Sequence, residues 1–331
     1  MSDATQCSEL AEWRGRVDAI DGDAGRRWHQ VVRPAPASPG TPGLALLGFA
    51  CDAGVHRNHG RVGAAAGPRT LRKYLSNFAW HGRAADALYD AGDVHCKDDG
   101  LEAAQAAYAS RAAGLLRAGH RVIGLGGGHE IAWASYQGIA AACAGQARLE
   151  RLGIINFDAH FDLRQPEQAG HGSSGTPFLH IAAARAAAGL DFRYLCLGVS
   201  ETANTPALFA QASRLGVAHV SDVDIGDRVV DDRVREFVAA CDGIYLTFCL
   251  DVLPPAVAPG VSAPAGLGVP LHRAMALLRQ VRSECAAAPG GDKLVLADVA
   301  ELSPCHDAAD ARTARTAARI VYELAAIGRC S

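Results

Sequence analysis

Between Leu152 and Arg164 the chain reads Leu-Gly-Ile-Ile-Asn-Phe-Asp-Ala-His-Phe-Asp-Leu-Arg, and Asp158, His160 and Asp162 in it are of types that hold divalent cations. Two carboxylates to one imidazole make a hard donor set, suited to Mn²⁺ or a similar ion rather than to a thiolate-type zinc site. Leu152, Ile154, Ile155 and Phe157 just before them read as a buried strand that delivers the acids at its carboxyl end. Residues two apart in a strand share a face, and at about 3.3 Å per residue Asp158 and Asp162 would stand about 13 Å apart if extended. One ion cannot span that distance. Either the chain curls after His160 or the three groups serve two ions.

Three further stretches end in groups of the same character. Gly126-Gly127-Gly128-His129-Glu130 follows a short apolar run, but neither phosphate-loop spacing is met. The glycines are expected to turn the backbone tightly and present His129 at a helix start. In Tyr245–Asp251, period two puts Thr247, Cys249 and Asp251 on one face, with Asp251 at the carboxyl end. Leu296–Pro304 carries Asp298 and Glu301, and an acid there could hold a cationic amidine or guanidine head.

These groups need a scaffold that gathers strand ends. The pattern predicts strands at 44–49, 122–125, 152–157, 193–198, 217–221, 243–250 and 293–298. It predicts helices at 69–76, 101–117, 129–142, 178–188, 205–214, 231–240, 270–285 and 309–326. Alternating strands and helices imply a three-layer αβα sandwich with a central, mainly parallel sheet, whose ligands gather at the carboxyl ends of the strands. Residues 1–43, ending in a Pro- and Gly-rich run, are expected to be an irregular lead-in that cannot join a sheet interior. Residues 44–331 show no composition break and read as a single α/β catalytic domain.

Composition narrows the partners. In 331 residues, 49% are hydrophobic and 20% charged, an ordinary balance for a globular chain. A net charge of −3 argues against nucleic acid or an anionic membrane surface as the main partner, so an anionic substrate needs local arginines. The 10 cysteines are scattered with no C-x-x-C pair, which reads as reduced thiols of a cytoplasmic protein. Neither a targeting segment nor a bilayer-spanning run is seen.

Taken together, Gly-Gly-Gly-His-Glu at 126–130, Asp-Ala-His-Phe-Asp at 158–162 and the run from Asp251 to Gly260 resemble the three motifs of the ureohydrolases. That is the arginase and agmatinase superfamily, an α/β fold with a binuclear Mn²⁺ site. Within it, Asn58–Ala64, Gly128–Gly138, Phe157–Arg164, Ser174–Phe178 and Ala297–Pro304 are similar to the formimidoylglutamases. The resemblance implies hydrolysis of N-formimidoyl-L-glutamate to L-glutamate and formamide in histidine degradation, by a homo-oligomer acting on an amino-acid-derived small molecule. It implies His129, Asp158, His160, Asp162 and Asp251 as metal ligands, Glu301 facing the amidine-type carbon, and Arg164 meeting a substrate carboxylate. Bidentate pairing suits arginine to that last role. Asn58 and Arg61 are further candidates for it, and Asp162 or His171 for passing a proton to the leaving amine, with His180 beside His171. At Cys249 the chain departs from the superfamily, which has an aspartate bridging both ions there. A thiol must ionise first and prefers softer metals. Three outcomes stay open: a thiolate-bridged pair, one weakly held ion, or a catalytically impaired relative. Another ureohydrolase with a guanidino substrate is the alternative within the superfamily.

Overall fold

A computed structural model describes residues 10–36, 40–82, 86–168 and 170–325. Strands β1 (Arg33–Pro34), β2 (Leu44–Ala50), β3 (Leu88–His95), β4 (Arg121–Leu125), β5 (Leu152–Phe157), β6 (Arg193–Val199), β7 (Ala218–Ser221), β8 (Gly243–Cys249) and β9 (Leu294–Ala300) form one sheet. Their spatial order is β1-β3-β2-β4-β9-β8-β5-β6-β7, and all neighbours are parallel. The helices are α1 (Trp28–Val31), α2 (Ala53–Arg57), α3 (Gly67–Leu75), α4 (Leu101–Arg117), α5 (Ile131–Ala142) and α6 (Ala147–Glu150). After them come α7 (Pro177–Ala187), α8 (Pro206–Arg214), α9 (Arg228–Ala239), α10 (Leu271–Ala286) and α11 (Arg312–Ala325).

The central strands are buried at every residue because helices cover both faces of a parallel sheet. Ile155, Phe157, Leu246 and Phe248 share one apolar layer with Val234 of α9, Leu278 of α10 and Ile320 of α11. Ile154 and Tyr245 share the other with Tyr108 of α4, Ile139 of α5 and Ile181 of α7. The Phe157 and Phe248 rings stack at 5.1 Å between centroids, worth about 0.5–1.5 kcal/mol beyond their burial. No helix of the described residues is long and apolar enough to cross a membrane.

The structure departs from the sequence pattern in places. The segment expected to be irregular holds α1 and β1, and Trp13 and Trp28 are buried in the core. Two large aromatic side chains dock it against the domain, and β1 pairs with β3 at the sheet edge, where Pro34 is tolerated. Residues 1–9 and 37–39 of that lead-in, and position 326 of the last predicted helix, lie outside the described residues. Strand β3 was not predicted, because Asp90, Gly92 and Asp93 interrupt its apolar pattern. Arg72 of α3, buried beside it, bonds both oxygens of Asp90 at 2.7 and 2.9 Å and Asp93 at 2.6 Å. Removing one partner of such a buried pair costs about 3–5 kcal/mol.

Candidate active site

Strands β4, β9, β8 and β5 are consecutive in the sheet, and their carboxyl ends carry His129, Glu301, Cys249 with Asp251, and Asp158 respectively. Convergence from four places in the sequence is therefore a consequence of strand order.

The strand of the first motif stops at Phe157, and the chain curls. Asp162 adopts a left-handed backbone with φ of 49°. The curl brings Asp158 Oδ2 and Asp162 Oδ2 to the same atom, His129 Nδ1, at 2.9 Å each. Of the two arrangements the spacing left open, the chain takes the curl. Polar side chains pin the curl. Asn156 Nδ2 donates to Asp158 Oδ2 at 3.0 Å, and the His160 N–H donates to Asp158 Oδ1 at 2.8 Å. Asn204 accepts from the Phe161 N–H at 3.1 Å and donates to the Ala159 carbonyl at 2.9 Å.

His129 is set by the glycine turn. A Cβ at Gly127 would run into the Cys51 carbonyl, so the backbone passes there only without a side chain. The helix begins at Ile131 rather than at His129, which leaves His129 in the turn itself. Its Nε2 lies 3.0 Å from Thr247 Oγ1. Cys249 is the last residue of β8, and Asp251 sits in a 3₁₀ turn, Leu250–Val252.

Potential donor atoms fall into two overlapping groups. His129, Asp158 and Cys249 each place one within 4.8 Å of the others, and so do Asp158, His160 and Asp251. Asp158 belongs to both, one oxygen toward His129 and the other 3.5 Å from His160 Nδ1. Asp251 Oδ2 lies 3.1 Å from His160 Nδ1, while its Oδ1 is buried without a partner. Asp158 is common to both groups, so the arrangement could hold two cations.

The electrostatics fit a cation too. Four carboxylates (Asp158, Asp162, Asp251, Glu301) face two imidazoles. Burial alone would lower the pKa of His129, yet its bonds to Asp158 and Asp162 raise it well above the ordinary value. Burial works against the charge of Asp158, but His129 and His160 hold its carboxyl well below the usual range. Burial and the nearby Asp158 push Asp162 up to about 6. Burial and the charges of Asp158, Asp251 and Glu301 drive the Cys249 thiol far up. Such a buried, acid-rich cluster is stable when cations neutralise it. Its hard oxygens suit Mn²⁺, and the thiol is the one soft member.

Glu301 completes the floor. Its backbone φ is 71°, its Oε1 accepts the His129 N–H at 2.8 Å, and its Oε2 is buried without a partner. Burial, then the charges of Glu130 and Asp251, raise its pKa well above normal.

Arg164 and Asn58 come together over Gly175, whose Cβ would lie 2.9 Å from both Arg164 Cδ and Asn58 Oδ1. They line a groove of about 990 Å³ that also takes in Arg57, His171, Thr205 and Gln211. None of the six candidate ligands lines it; Leu163 and Arg164, directly after Asp162, join the two. One expectation is not met. Arg61 donates to the Ser262 and Val261 carbonyls at 3.0 and 2.6 Å, so it clamps a loop instead of facing the groove. His171 lines the groove with Arg164, and His180 packs edge-on against Trp133.

The arginase family model matches residues 42–326. The chain belongs to the arginase family. It is 53% identical over 315 residues to the formimidoylglutamase of Ralstonia nicotianae, covering 93% of each chain. It is 50% identical over 322 residues to that of Aeromonas hydrophila, covering 96% of this chain and 97% of the relative. Its fold matches the crystal structure of formimidoylglutamase from Bacillus subtilis with a TM-score of 0.76, at 22% identity over 91% of each chain. It also matches Trypanosoma cruzi formiminoglutamase with Mn²⁺, with a TM-score of 0.74 at 22% identity over 88% and 95%. The arginase-family fold accounts for the parallel sheet and the cluster at its carboxyl edge.

Sequence reasoning missed the residues that support the ligands. Asn156, Tyr194 and Asn204 hold the first motif, and Ser135 with Tyr245 surrounds Asp298. Asp298 is fully buried on β9, in register with Thr247 of β8. Glu130 is also buried, and burial pushes its pKa up to about 7. A polar residue inside an apolar strand, as at Asn156, was the one available signal.

Proposed function

We propose that this chain hydrolyses N-formimidoyl-L-glutamate to L-glutamate and formamide, a step in histidine degradation, using two Mn²⁺ ions. The observation that carries this is the pair of ligand groups sharing Asp158, set beside the Arg164–Asn58 groove. The names and near-full coverage of the relatives at 53% and 50% identity support the substrate.

Asp158, His160, Asp251, His129 and Cys249 would hold the ions, which would supply a water acidified toward neutrality. The chain's own residues do the rest. Arg164 holds a glutamate carboxylate by charge-assisted hydrogen bonds, with Asn58 beside it. Glu301, its Oε2 free of other partners, receives the cationic amidine N–H groups. Water adds to the formimidoyl carbon, the bond to the glutamate nitrogen breaks, and that nitrogen leaves with a proton. Asp162, beside His129 Nδ1, would take the proton from the water and return it to the leaving nitrogen.

Cys249 distinguishes the two groups. Asp158, His160 and Asp251 would hold an ion tightly, whereas an ion beside His129 would be held less well because a thiol stands among its donors. The reaction takes place in the cytoplasm, in a homo-oligomer; the free thiols of all eight described cysteines support the compartment. The test is formamide and glutamate release by metal-stripped protein, with and without Mn²⁺. Turnover only with Mn²⁺ is expected; urea release from arginine or agmatine instead would refute the substrate.

A further inference from the structure

Glu130 follows His129 in the chain, is fully buried and belongs to neither donor group. Its Oε1 accepts the Gly54 N–H at 3.0 Å. Gly54 is the second residue of α2, where an N–H has no partner within its own helix. A Cβ at Gly54 would lie 2.5 Å from Glu130 Cδ, so the carboxyl reaches that N–H because the position is glycine. Gln105 of α4 anchors the backbone of Glu130, donating to its carbonyl at 2.9 Å.

The groove is tied together at the same residue. The Gly54 carbonyl accepts the N–H of Asn58 and the N–H of Ser174, both at 3.0 Å. One residue further on, the Gly175 carbonyl accepts the Arg164 N–H at 2.9 Å. Arg57, at the end of α2, donates to the Gly172 carbonyl at 3.1 Å. Asn58, Arg164 and the 172–175 loop are thus linked through Gly54, and Glu130 holds Gly54 from the side of His129. Burying a carboxyl group is unfavourable, and an apolar side chain would fill the space at lower cost. What glutamate adds is an acceptor for a buried N–H.

We propose that Glu130 is a positioning residue, which through Gly54 sets Asn58 and Arg164 at the distance from the ligand cluster that the substrate requires. The inference rests on the groove being the seat of the substrate carboxylate, and it goes beyond that reading by naming what joins groove to cluster. The contact is to the backbone of α2 and not to a candidate ligand. Its loss therefore acts on substrate binding and leaves cation binding in place.

The experiment compares Glu130→Leu, Glu130→Gln and Gly54→Ala with wild type. It measures KM and kcat for N-formimidoyl-L-glutamate, Mn²⁺ affinity by calorimetry, and amide hydrogen exchange of residues 53–58 and 172–176. Glu130→Leu, which has no acceptor, is expected to raise KM about tenfold, with kcat and Mn²⁺ affinity changed much less. Exchange should quicken in both segments. Glu130→Gln keeps an acceptor oxygen and should recover the wild-type KM, whereas Gly54→Ala, whose methyl meets the carboxyl, should behave like Glu130→Leu. Unchanged KM in a folded Glu130→Leu protein overturns the proposal. So does a loss of Mn²⁺ affinity as large as the rise in KM, which would put Glu130 with the metal ligands. A glutamine variant as impaired as the leucine variant also overturns it, because the acceptor would then not be what matters. If Glu130→Leu does not fold, Gly54→Ala decides by the same readings. Wild-type protein that leaves this substrate intact refutes the substrate reading, and hydrogen exchange then decides the proposal by itself: faster exchange in both segments of the variant supports it, and unchanged exchange overturns it.

Discussion

Replacing Cys249 by aspartate changes little but charge, because the two side chains are similar in size and the position is 1% exposed at the end of β8. The native thiol must ionise before it can ligate. Its ordinary pKa of 9.0 is already two pH units above neutrality, and burial with the charges of Asp158, Asp251 and Glu301 drives it further up. Two pH units at about 1.36 kcal/mol each make about 2.7 kcal/mol, or about a hundredfold in affinity. A carboxylate avoids that cost and offers an oxygen to each ion, which Mn²⁺ prefers to sulfur. Cys249→Asp should therefore bind the second Mn²⁺ about a hundredfold more tightly, read by titrating metal-stripped protein and counting ions per chain. The metal-free variant should be less stable than wild type, because it buries one more carboxylate, and Mn²⁺ should raise its melting temperature by more. Equal or weaker binding of Mn²⁺ by the variant would refute this reasoning. It would mean that the thiolate is a working ligand whose bond to the metal outweighs its ionisation.

Other perturbations separate binding from structure. Arg164→Ala should raise KM for the formimidoyl substrate roughly ten- to hundredfold with kcat changed much less, and an unchanged KM removes Arg164 from the groove's role. Arg61→Ala should leave KM alone and lower stability by about 1 kcal/mol through the lost bonds to Val261 and Ser262, checked by urea denaturation. His120 is buried beside Tyr89, and burial lowers its pKa from 6.5. Below 6.5 the unfolded chain binds this proton before the folded one does, so its contribution to stability is present above 6.5 and lost as pH falls through the lower folded value. His120→Gln should lose less stability than wild type between pH 7.5 and 5.5, and equal losses would show that His120 is not the group responsible.

Much of the site could be read from residue types. The runs before Asp158, Asp251 and Glu301 are apolar and strand-length, so their acids had to emerge at strand ends, and α4 spans Leu101–Arg117 as its pattern predicts. Arg61 could not be sorted from Arg164 in this way, because both are arginines in polar loops. Only the position of the Val261 and Ser262 carbonyls separates them.

By itself, then, the sequence determined the alternation of strands and helices, the identity of the candidate ligands and the odd thiol at Cys249, since these depend on local periodicity and chemistry. Tertiary structure decided the rest. It curled the chain at Asp162, so that two carboxylates about 13 Å apart in an extended strand meet on one histidine nitrogen. It turned Arg72 toward Asp90 and Asp93, which made a strand of a segment whose pattern does not predict one. It also set Asp298 behind Thr247, a relation fixed by the register of β8 against β9. Pairings between residues tens of positions apart depend on sheet order and backbone curvature, and no local pattern in the chain encodes either.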